Sequence, residues 1–434
     1  MQVLKKFSVI LGCFLICSCT FWRRSSYSES YYGYLPNNHL VRSAESTDYS
    51  HVDLGNSGSF RVAMLLPLSG NVASMGQSMK NAATMAIGDI NNNNLVVQFY
   101  DTKGTSSGAR VAVENAINAD SDLILGPLLS DEVSAISSEA KSKDIPVISF
   151  STSPAVLQEG VYSLGLLNND QISRMIKYAA SQGRTQLAAV LPDNQSGLNM
   201  FRSIMKNARE SGVKVVKIGF YAPDSMDFTS LVTAMKTGGV DFNALLIPET
   251  GNRLKAISSM FSYYDVAAPD VLFMGTSVWD SSNLSKETEL YGAVYPVMSL
   301  QNQESFAQKY NELFGEKPSG LSIYAYDAIA LASSLATKDR DYLNENIIRP
   351  DGYVGMSGTF RIFADGQNEH GLDVVKVTSG GKKVVENAPT QFYGAYSPTG
   401  SESQNNYYGY GYVEMPKVYG KSAEQLQNIL TSMQ

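Results

Sequence analysis

A chain of 434 residues, 44% hydrophobic and 17% charged, is too apolar for a disordered polypeptide and long enough for two lobes with a core each. Its formal charge of −7 counts against nucleic acid as a partner. Three His and three Cys, the latter at positions 13, 17 and 19, leave no basis for a metal centre, a cofactor ligand set or a disulfide framework in the body.

The chain opens on an export signal. Lys5 and Lys6 precede an apolar-to-small stretch, Phe7 to Ser18, shorter than the ~20 residues of a membrane-spanning helix. Residues 1–18 therefore read as a signal peptide. The string Ile16-Cys17-Ser18-Cys19 resembles the lipobox of bacterial lipoproteins, in which a branched residue and two small ones precede the lipidated cysteine. The resemblance implies a lipid anchor on Cys19 and, with Thr20 rather than Asp after it, a periplasm-facing place on the outer membrane. An ordinary cleaved signal with incidental cysteines is the alternative. From 19 to 59 no apolar period is visible, and Ser, Tyr, Asn and Gly dominate around Tyr31-Tyr32-Gly33-Tyr34. A flexible tether is expected there.

The body begins with a continuous apolar run from Phe60, ending Leu66-Pro67-Leu68-Ser69-Gly70, which suits a strand buried on both faces in a parallel sheet. Met79, Ala82, Ala83, Ala86, Ile87 and Ile90 then recur at three- and four-residue spacing and predict a helix from about Gly76 to Asn91. The unit repeats through strands at 95–101, 122–126 and 145–150 and helices at 109–119 and 131–143. After Thr152 the pattern restarts, with strands at 161–166, 187–191, 213–220, 244–247 and 271–274 and helices at 170–181, 197–210, 228–236 and 254–264. Two such series predict an α/β fold of two doubly wound parallel-sheet lobes, with a small-molecule ligand held between the two sets of strand ends. The loops leaving the first series, Pro67 to Gly70, Gly126 to Ser130 and Ser149 to Ser153, are rich in hydroxyls and poor in general bases.

Enzymatic chemistry finds no residues to carry it. Neither a Gly-x-Gly-x-x-Gly turn nor a phosphate loop follows a first strand. His370 falls in an expected turn, Asn368-Glu369-His370-Gly371, and no Gly-x-Ser-x-Gly elbow lies beside a strand. The segment 388–434 returns to Ser, Asn, Gly and Tyr, with Tyr407-Tyr408-Gly409-Tyr410 followed by Tyr412. Ser422-Ala423-Glu424-Gln425 then resembles a capping box that opens a short helix with Leu426, Ile429, Leu430 and Met433 on one face.

Pro67-Leu68-Ser69-Gly70 with Met75-Gly76, Asp101-Thr102, Ile124-Leu125-Gly126-Pro127-Leu128, Ile145-Pro146-Val147-Ile148-Ser149 and Gly358-Thr359-Phe360-Arg361-Ile362-Phe363-Ala364-Asp365-Gly366 together resemble the type I periplasmic binding proteins of the leucine/isoleucine/valine group. The resemblance runs from about Phe60 to Glu386. It implies two lobes joined by hinge crossings within residues 60–387, one from 60–166 and 293–340, the other from 167–292 and 341–387. It also implies that a ligand carboxylate meets Ser130, Ser151, Thr152 and Ser153, Ser130 serving equally as a helix cap. On the ammonium side the chain departs from the group. Ser277 stands where an acid is expected and Ser196 where an aromatic is expected; Ile247 and Met75 replace two tyrosines. Glu249 and Asp193 are the acids left to substitute.

Leu65-Leu66-Pro67-Leu68-Ser69-Gly70, Ile124 to Ser130 and Ile148-Ser149-Phe150-Ser151 are similar to a subgroup of the fold, the penicillin-binding protein activator lipoproteins. Membership would imply a non-catalytic regulator of a peptidoglycan synthase, with a class A penicillin-binding protein as partner. The alternative is the receptor of an ABC importer for amino acids or another small anionic solute. Either reading places the ligand contacts at Ser130, Ser151, Thr152, Ser153, Ser196, Glu249 and Ser277 and the anchor at Cys19.

Overall fold

The computed structural model describes residues 58–392 and 416–421. The export signal, Cys19, the tether to residue 57, the tyrosines from Tyr407 to Tyr412 and the expected helix after Ser422 lie outside the described residues.

The first sheet holds β1 (Phe60–Leu66), β2 (Leu95–Asp101), β3 (Leu123–Leu125), β4 (Val147–Ser149) and β5 (Val161–Ser163) in the order β2-β1-β3-β4-β5. All its pairings are parallel. Strand β1 is central because it is apolar on both faces: of its residues only Arg61 is exposed. Helices α1 (Ala73–Ile90), α2 (Ser106–Asn118) and α3 (Ser130–Lys141) connect these strands. On α1, Met79, Ala82, Ala83 and Ala86 are buried as their spacing requires, and on α2 Ala109, Ala112, Val113 and Ala116 form the inward face.

The second sheet is larger and mixed. Strands β6 (Gln186–Pro192), β7 (Lys214–Tyr221), β8 (Ala244–Leu246), β9 (Leu272–Met274) and β10 (Val294–Val297) alternate with helices α4 (Asn168–Ser181), α5 (Gln195–Glu210), α6 (Thr229–Lys236) and α7 (Gly251–Tyr263). A hairpin of β14 (Asp373–Thr378) and β15 (Gly381–Glu386) adds antiparallel to β10. At the other edge β16 (Lys417–Tyr419) pairs parallel to β7, so the order is β15-β14-β10-β9-β8-β6-β7-β16. The parallel sheet expected for this half thus carries an antiparallel hairpin on one side.

Between β10 and β14 the chain forms α8 (Leu300–Phe314), α9 (Ser322–Leu335), α10 (Leu343–Ile347) and an antiparallel three-stranded sheet of β11 (Tyr353–Gly355), β12 (Gly358–Ile362) and β13 (Asn368–His370). Helix α9 is buried along its whole length. Its Ser322 hydroxyl lies 2.8 Å from that of Ser78 on α1, which in turn lies 3.1 Å from Tyr310 on α8, so α8 and α9 belong with the first sheet. The resemblance assigns residue 293 onward to the first lobe, whereas β10 pairs with β9 and β14 in the second sheet. The segment expected as a turn at His370 is a strand. His370 pairs with Phe360 and sits buried against the Tyr324 and Phe360 rings, and burial brings its imidazole down to about 4.

The chain passes between the halves after β5, after β10 and after β13. Asn368 ties the first passage to the third: its amide donates to the Ser163 and Gly165 carbonyls, both at 2.8 Å. Asp373 ties in the second by accepting from Leu300 N at 3.1 Å, and it also accepts from Ala388 N at 2.7 Å.

Candidate functional site

Parallel strands present their carboxyl ends at one edge, and both sheets direct their connecting loops there. On the first sheet the loop after β1 is held by Asp101, the last residue of β2. Its carboxylate accepts from Leu68 N at 2.9 Å, Ser69 N at 3.1 Å, Ser69 Oγ at 2.6 Å and Lys103 N at 2.8 Å. Partial burial acts to raise this carboxyl, and the bonds from Ser69, Lys103 and Leu68 outweigh it and hold the group below its usual range.

The loop after β3 ends at α3. Leu129, not Ser130, stands at the N-cap position, and the buried Glu132 accepts from Leu129 N at 3.0 Å. The expected capping role of Ser130 therefore passes to a carboxylate one turn on, which burial pushes up. Ser130 itself is half-buried at the head of the helix. After β4, Ser151 is buried and its hydroxyl accepts from Ser153 N at 3.2 Å, while its carbonyl accepts from Ser163 Oγ at 2.7 Å. Ser151 thus shapes the loop, and Thr152, exposed, and Ser153, half-buried, are what that loop presents.

On the second sheet the two acids expected to face a ligand are taken. Glu249, after β8, is buried; one carboxylate oxygen accepts from the Tyr221 hydroxyl and the other from Arg253 Nε and Thr250 N, both at 3.2 Å. Burial together with that carboxylate pushes the Tyr221 phenol up. Asp193, after β6, forms an ion pair with Lys421, the residue that follows β16 and Gly420. Neither acid stands as a lone counter-charge for a ligand ammonium. Ser277, after β9, donates its N–H to Gln171 Oε1 at 2.7 Å and is half-buried, while Ser196 is exposed in the first turn of α5. The 3-10 turn that carries Ser277 is seated by Trp279, which is fully buried and donates to Ile247 O at 3.0 Å.

Sequence reasoning missed Tyr221, Arg253, Gln171 and Lys421. Arg253 stands four residues after Glu249, but the helix expected from 254 began too late to show the pair; the observed helix starts at Gly251. The Lys421 contact was not legible either, because it joins positions 228 apart through a strand in a low-complexity tail. Among the described residues no group of three or more His, Cys, Asp or Glu is placed to hold a metal ion.

A family model described as periplasmic binding protein matches residues 59–382. The chain belongs to that family. It is a binding protein rather than an enzyme, and membership places it on the periplasmic side of the cell envelope. Among curated relatives of this periplasmic binding protein, the Leu/Ile/Val/Thr-binding protein of Salmonella typhimurium is 27% identical over 194 residues, 42% of this chain and 53% of that one. The chain thus spans about half the length of the curated relatives it matches. The solved structure of a putative branched-chain amino acid ABC transporter from Rhodospirillum rubrum covers 75% of this chain and 100% of its own at 16% identity, with a TM-score of 0.67. A solute binding protein of an ABC transporter from Rhodopseudomonas palustris, solved with 3,4-dihydroxy benzoic acid, covers 77% of this chain and 97% of its own at 16% identity, with a TM-score of 0.54. Both share the two-lobed α/β fold.

Proposed function

We propose that this protein is a solute receptor for small carboxylates that carry no ammonium group, serving an importer of the envelope. The observation that carries this reading is the state of Glu249, whose two oxygens are already used by Tyr221, Arg253 and Thr250. An amino-acid ammonium brought to that edge would be desolvated without an uncommitted carboxylate, which costs several kcal/mol. The first-lobe loops, with Ser130 at the start of α3 and Thr152 and Ser153 after β4, supply hydroxyls and amides suited to the other end of such a molecule. A protein of the same fold has been crystallised with 3,4-dihydroxy benzoic acid, a carboxylate of this kind. In this reading Cys19 bears the lipid and residues 19–59 tether the body to the outer membrane.

The test is a thermal-shift comparison of the purified protein with benzoate, 3,4-dihydroxybenzoate and branched 2-oxo acids against leucine, isoleucine and valine. A carboxylate present at ~100 times its Kd adds about 2.7 kcal/mol to stability and raises Tm. Thr152→Ala with Ser153→Ala should reduce that shift. A shift with the amino acids and none with the carboxylates would sink the proposal.

A second reading, regulation of a peptidoglycan synthase such as a class A penicillin-binding protein, is supported by the same committed acids together with the Tyr-rich segments. It differs in outcome: no carboxylate shifts Tm, and a purified synthase co-purifies with the protein and makes more crosslinked product.

A further inference from the structure

Strand β16 brings a charged residue from near the far end of the sequence to the carboxyl-end rim of the second sheet. It pairs with β7 in parallel, Lys417 beside Lys217, Val418 beside Ile218 and Tyr419 beside Gly219, so its carboxyl end lies at the same edge as those of β6 to β9. Gly420 follows in a left-handed conformation, φ 78°, and a Cβ there would stand 2.0 Å from the Phe220 carbonyl oxygen. Only glycine lets the backbone turn that close to β7. The turn delivers the Lys421 ammonium to the Asp193 carboxylate, with the Phe220 ring 5.3 Å away, and leaves the Lys421 side chain 8% exposed.

Asp193 directly follows β6, and its N–H bonds the Tyr221 carbonyl at 2.7 Å. It therefore shares the rim with Glu249, which Tyr221 also contacts. Glu249 and Asp193 on this rim are each matched by a cation of the chain itself, Arg253 for Glu249 and Lys421 for Asp193. The two differ in how they are supplied. Arg253 lies on the helix that Glu249 introduces, whereas Lys421 is brought in by a separate strand and a glycine turn, with its side chain sequestered from solvent.

We propose that Lys421 is a specificity-determining residue: on Asp193 it takes the place that the cationic group of a ligand would take, so the cleft accepts small carboxylates and rejects zwitterionic amino acids. This rests on the receptor reading above. A zwitterion entering the cleft finds Glu249 and Asp193 already paired with cations, so its ammonium would be desolvated without either of them as counter-charge, while a plain carboxylate meets no such penalty.

The matched probes are 4-methyl-2-oxopentanoate and leucine, which share a carbon skeleton and differ in whether the α-carbon bears an ammonium. Their Kd values are measured by calorimetry on wild type, Lys421→Met, Asp193→Asn and the double variant, with a cooperative melt required of each. Lys421→Met uncovers the Asp193 carboxylate, and the preference for the oxo acid over leucine should fall at least about tenfold. The double variant, with neither charge, should return toward the wild-type preference. Asp193→Asn, which frees the ammonium without uncovering a carboxylate, should tighten the oxo acid and still exclude leucine; it decides the matter if Lys421→Met does not fold. An unchanged preference in Lys421→Met, or leucine binding in Asp193→Asn, overturns the proposal and leaves the receptor reading standing. A wild-type protein that binds neither probe nor any carboxylate of the thermal panel overturns both.

Discussion

Asp327 shows how much of this molecule's electrostatics lies away from the ligand edge. It sits within α9, sealed from solvent, and its carboxylate accepts from Met356 N at 2.6 Å and Ser357 N at 2.8 Å, joining α9 to the small sheet. Burial pushes the group up to about 6 from 3.8, and the bonds from Ser357 and Met356 only partly oppose it. The folded protein thus holds this proton more tightly than the unfolded chain does. The resulting stability is complete below about pH 3.8 and is lost as the pH rises through about 6. His370 works the other way: brought down to about 4 by burial, it costs stability as the pH falls from 6.5 toward 4. Comparing wild type with Asp327→Asn cancels the histidine. From about pH 7 to about pH 4 wild type should gain on the variant by on the order of 3 kcal/mol, read from urea unfolding. Parallel pH curves for the two proteins would contradict the assignment.

At the level of elements, local pattern sufficed where a segment is buried by its own sequence. The apolar run of β1 and the alanine stripes of α1 and α2 are of this kind, since each specifies its inward face before any partner is known. Pattern failed where pairing with a distant strand decides. Asn368-Glu369-His370-Gly371 has turn-forming composition, yet it pairs with β12, and Arg361 Nη2 meets Glu369 across the pair at 2.6 Å. Strand β16 is a three-residue piece of a Tyr-rich tail whose order comes from the edge of β7. The turn after β9 depends on close approach instead: a Cβ at Gly275 would stand 2.1 Å from the Trp279 ring, and that ring is fully buried. Gly275→Ala should cost at least about 2 kcal/mol in urea unfolding, because the indole cannot retreat without leaving its pocket. It should also weaken ligand binding by moving Ser277. An unchanged midpoint would mean that Trp279 repacks freely.

For the whole molecule, the two-lobed architecture was readable because alternating strands and helices admit few arrangements, and the family match bears it out. At the candidate edge the sequence places loops better than it places partners. The hydroxyl loops of the first lobe follow strands whose ends the sequence marks, so Ser130, Thr152 and Ser153 fall at the head of α3 or in the loop that leaves β4. The second lobe misled, because an acid in sequence says nothing of its partner, and Glu249 and Asp193 are both committed within the fold. The central claim is that the edge so built favours a carboxylate without an ammonium. Direct titration of the purified wild-type protein with 4-methyl-2-oxopentanoate and with leucine, in the same buffer and by calorimetry, tests it in one measurement. The account predicts saturable one-to-one binding of the oxo acid and none of leucine; saturable binding of leucine with none of the oxo acid would contradict it.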